Sequence, residues 1–198
     1  MLRRPCSKGS RQTPPGRSVR AILADTILPH MSPARPDVSE FAPYYARYVS
    51  LVPDAPLLDT LRAQPDAWDR RLQDADAAAT YAPGKWTVGQ VLAHVADAER
   101  VFAFRMLWFA RGGDALPGFD ENAWATTAPS LSVPDGLAAF RTARAATVSL
   151  AEGLDAEAWS RAGVASGNPM SARAAAYVLA GHVLAHADVL RERYGLRG

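Results

Sequence analysis

Apolar residues recur at helical spacing through most of the chain. Leu57, Leu58, Leu61, Trp68 and Leu72 share one face of a helix expected over residues 56–75, with Pro65 set to kink or split it. Val91, Val95, Ala98, Phe102, Met106 and Phe109 form a second stripe. Its start is marked by a T-x-x-Q capping box, Thr87 and Gln90, with Trp86 placed to staple onto Val91. Gly112 and Gly113 end it. A third helix is capped by Ser132 and Asp135 and buries Leu137, Phe140, Val148 and Ala151. A short turn at Asp155 buries Trp159, and a last helix from Ser171 carries Tyr177, Val178, His182, His186, Val189 and Leu190. Residues 44–52 are the only β-like stretch. Four long amphipathic helices, with one crossover of about 19 residues (GDALPGFDENAWATTAPSL), predict an all-α four-helix bundle.

Charge divides the chain unevenly. The formal net charge of +2 conceals +5 in residues 1–30 and −3 in the remainder. Residues 1–35 read as a basic, Ser/Pro/Gly-rich leader that could not pack a core, either disordered or upstream of a translation start at Met31. An Arg-rich targeting sequence or a nucleic-acid-binding tail is the alternative for that leader. The folded domain is expected over residues 41–196. It is net acidic and has no basic stripe with interleaved aromatics, so nucleic acid is not an expected partner. No apolar run nears the roughly 20 residues of a membrane span. Cys6 is the single cysteine, which excludes a disulfide framework and suits a reducing cytoplasm.

His182 and His186, in GHVLAHADVLRERYG, stand four residues apart with their Cβ atoms about 6 Å apart on one helix face. Two such imidazoles can chelate a divalent ion, and His94, in register with Val91 and Ala98, is the third ligand candidate. Three neutral nitrogen ligands with open positions suit a catalytic metal site; the competing reading is three buried histidines, each satisfied by a hydrogen bond. Val183 stands where a zinc protease of the HExxH type needs glutamate, which argues against peptide hydrolysis by that route. Asp97 could orient a histidine ring; Asp188 faces away. Arg105 lies about 16 Å along the same face from His94, and Arg144 shares a face with Phe140 and Val148. Each inward cation either binds an anionic group of a substrate or pairs with Asp97, Glu99 or a loop acid. Phe119 and Trp124 could roof the site.

From residue 41 to 194 the chain resembles the DinB-like family of metal-binding four-helix proteins. The resemblance rests on YAPGKWTVGQVLAHVADAER, FRMLWFARGG, LPGFDENAW and GHVLAHADVLRERYG. It implies an up-down-down-up bundle with the metal held by His94, His182 and His186. It also implies a homodimer, a nickel or zinc ion, and a small-molecule substrate. Activities implied are transfer of a low-molecular-weight thiol co-substrate to an electrophile, or metal-dependent hydrolysis. A non-catalytic metal- or ligand-binding bundle is the third reading. Metal-bound thiols are deprotonated outright, so the sequence, which offers no obvious general base, needs none for thiol transfer.

Overall fold

The computed structural model describes residues 32–129 and 131–197. The expected leader therefore lies, as far as residue 31, outside the described residues. From residue 32 the chain is fastened to the bundle. The Leu58 N–H donates to Ser32 Oγ, Tyr177 donates its hydroxyl to the Pro33 carbonyl, and Arg35 donates to the carbonyls of Val49 and Val52.

Seven helices follow, with a small sheet between them. Two 3-10 turns, Val38–Glu40 and Pro43–Tyr45, lead into α1 (Ala46–Val49). Then come α2 (Leu57–Leu72), α3 (Val88–Ala110), β1 (Ala115–Leu116), α4 (Glu121–Thr127) and α5 (Val133–Glu152). The chain closes with α6 (Ala156–Ser160), β2 (Ala162–Ala165), β3 (Asn168–Ser171) and α7 (Ala172–Glu192). The bundle is made by α2, α3, α5 and α7; α2 and α3 each pack against both α5 and α7. Arg62 reaches Glu152 at 2.7 Å while Arg141 reaches Asp66 at 2.9 Å, which sets α2 along α5. Gln64 donates to the Ala180 carbonyl and Arg71 to that of Leu196, which sets α2 along α7. Tyr194 donates its hydroxyl to the Trp86 carbonyl at 2.6 Å, tying the chain end to the start of α3.

The helix ends are where their caps predict. Thr87 Oγ1 accepts from the Gln90 N–H and Gln90 Oε1 from the Thr87 N–H. Ser132 and Ser171 cap α5 and α7, accepting from the N–H groups of Asp135 and Ala174. Pro65 neither splits nor ends α2. The β-like stretch at 44–52 folds as helix instead. Tyr45, Tyr48, Val49 and Val52 lie at i, i+3, i+4 and i+7, so a helical turn buries them together, and that overrides the strand propensity of tyrosine and valine.

The class is mostly helical rather than all-α. β1 runs parallel to β2, Ala115 opposite Val164, and β2 pairs antiparallel with β3, Ala162 opposite Ser171. Ser166 (φ 54°) and Gly167 (φ 77°) make the two-residue hairpin turn that left-handed backbone allows. The strands are two to four residues long and mostly small, with a proline and with Val164 as their only β-branched side chain, so their periodicity is faint. The crossover is consequently structured: it contains β1 and α4, and β1 ties it to the hairpin.

Candidate metal centre

The inward faces of α3 and α7 bring three imidazoles together. His94 Nε2 lies 3.0 Å from His182 Nε2, which lies 3.1 Å from His186 Nε2. His94 and His182 are each 5% exposed, and His186 is half-buried. Trp86 packs on the His94 ring at 4.9 Å, and Tyr48 meets the His182 ring edge-on at 5.5 Å. α1 can sit this close because α7 carries a glycine beneath it. A Cβ on Gly181 would fall 1.9 Å from the Tyr48 carbonyl oxygen.

Burial away from water disfavours the imidazolium form of all three. It holds His94 at about 4, against an ordinary 6.5, and His186 at about 3, with the charge of His94 a smaller contribution. His182 is pushed well below the ordinary value by the same cause. At neutral pH the three rings are therefore uncharged and have lone pairs to offer. They cannot all satisfy one another, because His186 Nδ1 is buried with no partner. Nitrogens spaced this way subtend roughly 90–95° at an ion about 2.1 Å from each, which leaves further coordination positions open. The donor set fits a divalent metal of borderline softness.

The triad opens on two sides. A cavity of about 430 Å³ is lined by Tyr44, Tyr45, Tyr48, Phe119, Ser166 and His182, and one of about 300 Å³ by Arg47, Tyr48, Trp86, His94 and His186. Glu121, the first residue of α4, lines both, as does Tyr48. Arg47 donates to the hydroxyls of Tyr44 and Tyr48, the latter at 2.6 Å. Burial and the hydrogen bond that Tyr48 shares with Tyr44 raise the Tyr48 phenol well above its ordinary value, so it stays protonated. Neither Arg47, Tyr48 nor Glu121 stood out in the sequence. Glu121 sits in LPGFDENAW, where only the fold shows that it lines the same cavities as histidines from two other helices.

The other candidates separate. Asp97 pairs with Arg100 at 3.1 Å and contacts no histidine, so the ring-orienting role expected of it is not observed. Asp188 pairs with Arg191. Arg144 lies inside the bundle, where Glu99 takes it bidentately at 2.7 and 2.8 Å, so it is a structural ion pair and not a substrate contact. Arg105 points the other way, to Ser166 Oγ at 3.0 Å and the Tyr45 hydroxyl at 3.4 Å. Phe119 and Trp124 stack at 5.0 Å in the crossover, and Phe119 walls the His182 cavity.

The model of the DinB superfamily matches residues 57–190. A stretch of 64 residues is 38% identical to a candidate metal-dependent hydrolase of Geobacillus thermodenitrificans (strain NG80-2). It covers 32% of this chain and 36% of that protein, so the match spans about a third of the relative's length. Among solved structures, YfiT from Bacillus subtilis, a probable metal-dependent hydrolase with an unusual four-helix bundle topology, is similar at a TM-score of 0.61. That likeness covers 74% of this chain and 91% of YfiT, at 19% identity. The mycothiol-dependent maleylpyruvate isomerase is similar at 0.56, over 71% of this chain and 61% of that one, at 18% identity. Identities this low establish a shared fold.

Proposed function

The chain belongs to the DinB superfamily, and from that premise we propose that it binds one divalent metal ion through His94, His182 and His186 and uses it to activate a small nucleophile. The carrying observation is the convergence of three buried, uncharged Nε2 atoms at 3.0 and 3.1 Å. Nickel or zinc suits an all-imidazole donor set. The helix pairings also support an up-down-down-up course. Early α2 meets late α5, and early α3 meets late α7, whereas α2 with α7, and α3 with α5, run in step.

A metal in this position supplies Lewis acidity and a lowered pKa for whatever nucleophile it holds. The protein's own contribution is separate. Tyr48, protonated, lines both cavities, and Arg47 donates to its hydroxyl and holds it in place. Glu121 is placed to accept a proton at a carboxylate oxygen. Trp86 covers the His94 ring, and Phe119 walls the cavity of His182. The first reading is transfer of a low-molecular-weight thiol to a small electrophile, which the likeness to the mycothiol-dependent isomerase supports. The second is hydrolysis, favoured by Glu121, because water needs a base more than a thiol does.

Metal analysis of tag-free protein tests the premise. One nickel or zinc per chain is expected, lost in His186→Ala with the helical spectrum kept. A natural chain that takes up no metal when offered it overturns the reading. Glu121→Gln, with metal retained, should slow hydrolysis far more than thiol transfer.

A further inference from the structure

Two arginines among the described residues are fully buried, and they are treated differently. Arg144, 1% exposed, is neutralised by Glu99. Arg105, 2% exposed, has no carboxylate in ion-pair contact among the described residues. Its hydrogen-bond partners are neutral: Ser166 Oγ at 3.0 Å, the Tyr45 hydroxyl at 3.4 Å and the Pro117 carbonyl at 3.5 Å. The last two are long, and the rings of Phe102 and Phe119, at 5.0 and 5.7 Å, add only a diffuse attraction. A desolvated guanidinium left this way is costly unless an anion joins it.

The space for that anion is present. Arg105 lines a cavity of about 430 Å³ whose walls include Val101, Phe104, Leu116, Phe119 and Trp124. The one acid in its lining, Asp97, is engaged by Arg100, which also lines it, so the unmatched charge is that of Arg105. Ser166 accepts from Arg105 and lines the neighbouring His182 cavity, so Arg105 stands at the boundary between the two spaces. The turn that carries Ser166 holds it at φ 54°, an uncommon conformation for a residue other than glycine.

We propose that this cavity binds a small organic carboxylate with an apolar body. The carboxylate sits on Arg105, and the body lies against Phe104, Phe119 and Trp124. Phe119 also walls the cavity of His182, so the bound molecule is next to the histidine centre. That it is the substrate rests on the proposed metal chemistry; that it binds does not.

The test is calorimetric titration of the metal-free chain with benzoate, phenylacetate and 4-methylpentanoate, each beside its neutral amide. At least one carboxylate should bind about tenfold tighter than its amide, the scale of a charge-assisted contact. Arg105→Gln should bring the pair to parity. Phe104→Ala, at a half-exposed position outside the buried core, should weaken acid and amide alike. His186→Ala should bind the carboxylate as the natural chain does, so loss of the metal reading leaves the site standing. The proposal is overturned if none of the three acids is preferred over its amide, or if the preference survives in folded Arg105→Gln. Should that variant not fold, the acid-to-amide ratio and Phe104→Ala decide.

Discussion

Arg144 Nη1 donates at 3.0 Å to the carbonyl oxygen of Leu61, the acceptor that Pro65, lacking an N–H, leaves open in α2. A proline at mid-helix removes the bond to the carbonyl four residues back. Here a side chain from α5 replaces it, which accounts for the helix continuing through Pro65. The same guanidinium holds Glu99 of α3 and Gln64 of α2, so one residue joins three helices.

Substituting Pro65→Ala restores the backbone donor, and the loss from Arg144→Met should then shrink. In a double-mutant cycle by urea denaturation, the coupling is expected at about 1–2 kcal/mol, the cost of stranding a buried acceptor. Additive effects would mean that the Leu61 carbonyl finds another partner.

Gly181→Ala should destabilise the fold by about 1–3 kcal/mol, as overpacking does, because the new methyl meets the Tyr48 carbonyl and has no flexible side chain to displace. The melting temperature reads this directly. Since α1 must move away, the fluorescence of the Tyr44, Tyr45 and Tyr48 group should change as well. An unchanged melting point would show that α1 is not held where Tyr48 touches His182.

Acid should destabilise the metal-free chain in a defined window. Unfolded histidines bind protons near pH 6.5, whereas burial holds His94 at about 4 and His186 at about 3, with His182 also well below 6.5. Between these values the unfolded state takes up protons that the folded state refuses, so stability falls as pH drops below about 6.5 and is insensitive to these groups above it. The ceiling is about 1.4 kcal/mol per histidine for each pH unit. Denaturation midpoints between pH 5 and 6.5, where most carboxylates stay ionised, check it. His186→Gln should flatten the slope by about a third. A flat profile for the natural chain would contradict the burial of the triad.

Much of this was readable along the chain. Thr87 with Gln90, Ser132 with Asp135, and Ser171 mark helix starts by local hydrogen bonds, and local chemistry is what a sequence displays. The histidine pair shows itself because i and i+4 share a face, and His94 because its register with Val91 and Ala98 turns it inward. What stayed hidden depends on segments meeting from far apart. Tyr48 reaches His182 through the close approach at Gly181. Glu121 shares cavities with the triad only because α4 packs back against α3. Arg105 and Arg144 look alike as inward cations; which of them has an acid beside it is decided by packing between helices. The hairpin escaped because its strand residues are small, leaving only the Ser166-Gly167 turn as its signal.

The parallel pairing of β1 with β2 is two residues long and joins segments separated by the whole of α5. Its bonds, from the Val164 N–H to the Asp114 carbonyl at 2.7 Å and from the Ser166 N–H to the Leu116 carbonyl at 3.2 Å, have no long helix to cooperate with. Local opening begins where cooperative support is thinnest. These two amides should accordingly exchange with solvent deuterium well ahead of those within α3 and α7. Because Leu116 and Ser166 are held by that seam while the three histidines are held by the bundle, the seam can open without disturbing α3 and α7.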